Sequence, residues 1–120
     1  MTRTHPTFLT PAAFQILLVL AGGERHGYDI MNEIARESGG ALRLGPTTLY
    51  RTIRALLQMG LIEETDERPD PELDDQRRRY YRLTPAGREA ARAETERLRR
   101  LVAVAETKPL GERSTQELNP

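Results

Sequence analysis

Apolar positions in this chain recur at helical spacing up to about residue 60, switch to alternation, and return to helical spacing near the end. From Ala12 to Ala21 only Gln15 is polar, so this helix is expected to be covered from more than one direction. In so short a chain a second subunit is one source of that cover. Thr10 and Pro11 suit its N-cap and first position, and Gly22-Gly23 ends it. "HGYDIMNEIARESGG" places Ile30, Met31 and Ile34 on one helical face and stops at Gly39-Gly40. After the link "ALRL", a third helix opens at Gly45-Pro46, with Leu49, Ile53, Leu56, Leu57 and Gly60 on its core stripe.

The spacing then changes. "LIEET" (61–65) and "RRRYYRLT" (77–84) read as strands, with Tyr81 and Leu83 on one face and Tyr80 and Arg82 on the other. The intervening "DERPDPELDDQ" has two prolines and no period, which makes it the long tip of a hairpin. Thr84-Pro85 opens a last helix over about residues 85–106, roughly 33 Å long at about 1.5 Å per residue. Ala91, Leu98, Leu101, Val102 and Ala105 share a stripe on it, while Arg88, Arg92, Arg97 and Arg100 lie elsewhere. A helix of that length overhangs a domain of this size, so the stripe is expected to be a dimer seam. The division that follows is an N-terminal arm (1–9), a folded unit (10–84), a dimerisation helix (85–107) and a polar tail (108–120) expected to be disordered. Three helices and a hairpin describe a winged helix-turn-helix: mainly α, with a small β-hairpin wing.

Charge distribution changes the picture more than net charge does. The total is zero, from 18 Lys+Arg and 18 Asp+Glu. Residues 61–76, however, hold 8 acidic and 1 basic side chain, against 6 basic and 4 acidic before them and 11 basic and 6 acidic after. One acidic segment hides a basic remainder, built almost wholly of arginine, whose planar fork suits phosphate and guanine. No cysteine is present, which removes disulfides, thiol nucleophiles and Cys-type zinc sites. No apolar run approaches the roughly 20 residues of a membrane span, and the first ten residues lack a signal-peptide pattern. A cytoplasmic protein is expected.

The third helix carries an unusual second face of Thr47, Thr48, Tyr50, Arg51, Arg54 and Gln58. One reading is an ordinary solvated surface with Tyr50 half-buried. The other is a recognition helix, because hydroxyls and arginine forks bond phosphates and base edges. They cluster at the N-terminal end, which such helices insert into the major groove and where the dipole favours phosphate.

Three segments, "HGYDI" (26–30), "LGPTTLYRTIRALLQMGLI" (44–62) and "RRRYYRLTPAGREA" (77–90), resemble the PadR-type transcriptional regulators, in particular the small subfamily with one C-terminal helix. The resemblance covers about residues 10–105. It implies a homodimeric winged-helix repressor on a palindromic double-stranded DNA operator. A cavity between the first and last helices of such a dimer is a candidate place for a small hydrophobic or phenolic effector. By position it implies DNA contacts from Thr47, Thr48, Tyr50, Arg51 and Arg54. His26, Gly27 and Tyr28 would lie near the DNA backbone at the start of the second helix, and Arg77, Arg78 and Arg79 on the basic side of the wing. The last helix and the first would build the dimer through Phe14, Leu17, Leu18, Ala91, Leu98, Leu101, Val102 and Ala105. Two departures stand out. The wing tip is acidic where family wings are commonly basic, so it is expected to point away from DNA. The chain has no tryptophan, so stacking of aromatic ligands on an interface Trp does not carry over.

Several plainer readings remain beside these. Arg77, Arg78 and Arg79 also suit protection of a strand edge, and His26 suits a packing or capping role. "DPELD" alternates carboxylates but lacks the turn glycine of a calcium loop, so no metal and no cofactor are expected. No nucleophile–base set, phosphate loop or HExxH appears, and no catalytic residue is assigned. The other function class in play is a winged-helix module that grips an acidic protein with the same Thr/Tyr/Arg face.

Overall fold

The computed structural model describes residues 9–65 and 79–111. The arm before Leu9, the wing tip with Arg77 and Arg78, and the tail from residue 112 lie outside the described residues. Four helices and three short strands follow in the order α1 (Pro11–Ala21), β1 (Arg25–His26), α2 (Gly27–Glu37), α3 (Pro46–Gln58), β2 (Ile62–Glu64), β3 (Tyr80–Leu83) and α4 (Pro85–Glu106).

Polar side chains start three of the helices as their sequences suggest. The Thr10 hydroxyl accepts from the Ala13 N–H at 3.1 Å, and the Thr84 hydroxyl from the Gly87 N–H at 3.0 Å. His26 caps α2 through Nδ1, which accepts from the Asp29 N–H at 3.1 Å. Each satisfies a donor that has no partner within its helix.

Helix α1 is the centre of the molecule. Ala13, Ile16, Leu17, Val19 and Leu20 are buried against α2, α3, α4 and β3. Most of the two-sided cover expected of a partner subunit is therefore supplied by the chain itself. Ile30 and Ile34 from α2, and Leu49, Ile53 and Leu56 from α3, complete this core.

The sheet has the order β1-β3-β2, all antiparallel. Ile62 pairs with Leu83 and Glu64 with Tyr81. Tyr81 and Leu83 are buried, while Arg82 is exposed; the alternation fixes which face meets the core. Strand β1 was not expected. Its two residues pair Arg25 with Tyr81 and His26 with Tyr80, and a strand of two residues has no period to read.

The end of α3 and the start of α4 are locked together. Gly60 takes a left-handed φ of 74°, as a residue just past a helix often must. The Leu61 N–H then returns to the Leu56 carbonyl at 3.0 Å. Thr84 donates from its hydroxyl to the Gly60 carbonyl at 2.7 Å and from its N–H to the Leu61 carbonyl at 3.1 Å. Gly87 lies so close to this turn that a Cβ there would stand 1.9 Å from the Leu61 carbonyl oxygen. The motifs "GLI" and "TPAG" are thus two sides of one contact, which sets α3 relative to the hairpin and to α4.

Candidate nucleic-acid interface

Helix α3 turns Leu49, Ile53 and Leu56 into the core, which leaves Thr47, Thr48, Arg51 and Arg54 exposed on the opposite side. Pro46, Thr47, Tyr50, Arg51 and Arg54 line an open cleft along its N-terminal half. The N-cap is Gly45, which brings no side-chain hydrogen bond, and the first turn holds no acidic residue. The N–H groups of Thr47 and Thr48 are left without helix partners, at the positive end of the dipole.

The arginines on this face differ from most others. Arg36, Arg79, Arg82, Arg92, Arg97 and Arg99 each pair with a glutamate. Among the described residues, Arg51 and Arg54 have no carboxylate partner. Arg43, exposed three residues before Pro46, has none either. It sits in the stretch read from sequence as a mere link, and only its adjacency to α3 could have marked it. This exposed face of α3 therefore offers the Thr47 and Thr48 hydroxyls, their two backbone N–H groups and guanidinium forks without carboxylate partners among the described residues, a set of donors suited to an anionic, oxygen-rich ligand.

Several residues expected at this face are used otherwise. Tyr50 is half-buried and its ring packs on Gly27. A Cβ at Gly27 would meet the Tyr50 hydroxyl at 2.5 Å and its Cε1 at 2.7 Å. Tyr50 thus borders the cleft but spends its ring holding α3 against the start of α2, where only a glycine leaves room. Gly27 itself is buried and presents no surface. His26 is committed to its cap and to an edge-on contact with Tyr80, ring centroids 5.4 Å apart. Tyr28, by contrast, is 52% exposed at the first turn of α2. Arg79 reaches across the wing base to Glu64 at 3.4 Å, so its charge is partly neutralised there.

Tyr81 lies beneath the sheet. Burial, then the Glu64 carboxylate and Tyr50, push its pKa up to about 12, against a smaller pull from Arg79. It remains a neutral phenol beside the wing base.

The residues expected at a subunit seam divide in two. Leu18, Leu101, Val102 and Ala105 are exposed, and Phe14 and Leu98 half-buried. Val104, 49% exposed, extends the stripe although the sequence pattern did not single it out. Leu17 and Ala91 are instead buried inside the chain, because α1 and α4 pack on one another there; neither has surface to offer a partner. No group of three or more His, Cys, Asp or Glu suited to a metal occurs among the described residues. No helix among them is long and apolar enough to cross a membrane.

Residues 16–93 match the model of the transcriptional regulator PadR-like family. A transcriptional regulator from Clostridium thermocellum superposes with a TM-score of 0.68 at 26% identity, over 80% of this chain and 87% of that one. Bacillus subtilis PadR, solved in complex with operator DNA, shares the fold with a TM-score of 0.60 at 24% identity, over 69% of this chain and 45% of that one. An uncharacterised 37.1 kDa protein in transposon TN4556 of Streptomyces fradiae is 37% identical over 90 residues, 75% of this chain. The chain spans about a quarter of that relative's length, 24%.

Proposed function

This chain belongs to the PadR-like family of transcriptional regulators, and we propose that it is a homodimeric repressor that binds a palindromic DNA operator through α3. The observation that carries this reading is the cleft of Pro46, Thr47, Tyr50, Arg51 and Arg54, with a helix start that no side chain caps and arginines that have no carboxylate partner among the described residues. Such a surface is stable only where solvent or a polyanion meets it. Its place on the third helix of a winged fold is that of a helix that enters a major groove. The operator complex of Bacillus subtilis PadR supports the same use of the fold.

In this reading Thr47, Thr48, Arg51 and Arg54 meet DNA, and Tyr28 approaches the backbone from α2. Tyr50, Gly27 and His26 position those groups without reading bases. Arg77 and Arg78 would serve the wing. The exposed stripe of Leu98, Leu101, Val102 and Ala105, with Phe14 and Leu18, would form the dimer, as in the small subfamily with one C-terminal helix. Two α3 helices would then fall one DNA turn apart, roughly 34–36 Å. A hydrophobic or phenolic effector that relieved repression would act between α1 and α4 of that dimer.

The test is selection of genomic fragments by the purified protein near physiological salt, about 0.15 M, then titration of the enriched duplex against a scrambled one. A palindrome bound far more tightly than the scramble, and lost in Arg51→Ala/Arg54→Ala, is the expected result. Weak, unselective binding that ignores those substitutions would overturn the reading and direct attention to an acidic protein partner of α3.

A further inference from the structure

The turn between α2 and α3 carries an arginine that neither helix uses. Among the described residues, Arg43, Arg51, Arg54, Arg88 and Arg100 have no carboxylate partner. Arg88 and Arg100 lie on α4. The other three lie on the exposed face of α3 and in the turn that leads into it.

The backbone of this turn is tied down. The Gly40 N–H returns to the Ala35 carbonyl at 2.8 Å and the Ala41 N–H to the Ser38 carbonyl at 3.2 Å, which satisfies carbonyls left over at the end of α2. The Ser38 hydroxyl accepts from the Leu42 N–H at 2.9 Å and stands 3.2 Å from the Leu42 carbonyl, to which it can donate. Leu42 then packs against the core and Leu44 is buried in it. Burial alternates along this link, and Arg43, between the two leucines, is the residue turned out to solvent. Gly45, Pro46, Thr47 and Thr48 follow, all exposed, so Arg43 adjoins the N-terminal end of α3. A helix with its side chains is about 10–12 Å across, and the major groove is about 12 Å wide. Helix α3 would fill such a groove. A cation that adjoins its leading end without lying on it meets the phosphodiester strand at the groove's edge, not the base edges within. Its position is set by the turn beforehand, so little order is lost on contact.

We propose that Arg43 is a phosphate anchor, held at the mouth of α3 by the Ser38–Leu42 clamp, which grips a DNA phosphodiester flanking the groove that α3 enters. The anchor rests on the DNA-binding reading of α3 and extends its footprint onto the turn before it. It reads no base: its contribution is to affinity and register, the usual part of a phosphate contact.

The test is a salt series on the full chain with two short duplexes of unrelated sequence, because a phosphate contact needs no particular operator. Arg43→Ala is expected to weaken binding to both duplexes and to reduce the salt slope by about one unit. The parent's advantage over it should shrink about threefold between about 50 and about 200 mM salt, the share of a single phosphate. Arg43→Lys is expected to recover most of the affinity and the slope, since a phosphate accepts a point charge where a base edge demands the planar fork. Arg92→Ala, which removes an arginine paired with Glu89 on α4, serves as the control for net charge and should leave the slope unchanged. Arg43→Ala with parent affinity and slope overturns the anchor, as does an equal fall of slope in Arg92→Ala. A loss confined to one duplex, or one that Arg43→Lys fails to recover, overturns the phosphate assignment. If Arg43→Ala is silent while Arg51→Ala/Arg54→Ala abolishes binding, the anchor falls and the α3 reading stands. A parent chain that binds no duplex even at low salt removes both.

Discussion

A methyl group at Gly87 would stand 1.9 Å from the Leu61 carbonyl oxygen and 2.9 Å from its carbon. These are backbone atoms, fixed by the turn that closes α3, so no side chain can rotate out of the way. Gly87→Ala is expected to destabilise the fold by about 3 kcal/mol or more, the upper end for overpacking. Urea unfolding with a lowered midpoint would register it. Glu94 makes a different kind of prediction. Its hydrogen bonds from Arg97 outweigh burial and, with the Arg97 charge and the Leu9 N–H, hold its pKa below the ordinary 4.5. A carboxylate whose folded pKa is depressed adds stability that is present above its unfolded value and lost as pH falls through the folded one. Glu94→Gln should therefore lower stability at neutral pH and flatten its decline below pH 4.5; parallel acid-unfolding curves for parent and variant would contradict this. Sequence reading placed Arg97 off the seam stripe but had no means to pair Glu94 with Leu9, which precedes α1.

At the scale of the element, α3 shows how far a periodic pattern carries. Its buried stripe of Leu49, Ile53 and Leu56 and its exposed Thr47, Thr48, Arg51 and Arg54 were legible, because a 3.6-residue period assigns faces directly. The place of Tyr50 was not. It lies at the edge of the stripe, and its direction is decided by the space that Gly27 leaves on another helix. With Tyr50 engaged, Arg51 and Arg54 become the residues whose loss should be felt on DNA. If one reads a base, its change to Ala should cost about 1–3 kcal/mol and relax specificity at one position; if it holds a phosphate, all sequences should weaken alike and the salt slope should fall by about one. Titrations of operator and scrambled duplex across a salt series separate the two roles residue by residue. The wing was legible as two strands, which among the described residues run over Ile62–Glu64 and Tyr80–Leu83; the expected start at Arg77 lies outside the described residues. Its third strand was not, since Arg25 and His26 become a strand only by pairing with β3.

On the scale of the whole molecule, α4 leaves Leu101 and Val102 exposed by 50% and 56%, with Val104 and Ala105 beside them. Contiguous apolar surface of this kind on a short chain points to a partner. Leu101→Asp is expected to yield a monomer in light scattering. It should also lose most operator affinity, because two half-sites no longer bind as one ligand. An intact dimer in that variant would move the seam elsewhere. Leu17→Asp would not test the seam, since Leu17 is wholly buried and its change would damage the fold first.

The sequence by itself determined the order of elements, the caps at Thr10 and Thr84, the core faces of α2 and α3 and the length of α4. All of these depend on local period and on residues adjacent in the chain. Only the tertiary structure decided that α1 finds most of its cover within the chain, that Leu17 and Ala91 belong to the core, and that Arg79 turns to Glu64. It alone shows that Gly27 and Gly87 exist to admit Tyr50 and the Leu61 carbonyl. Each of these is a contact between segments far apart in sequence. Hydrophobic spacing states that a face must be covered; it carries no information on which segment covers it.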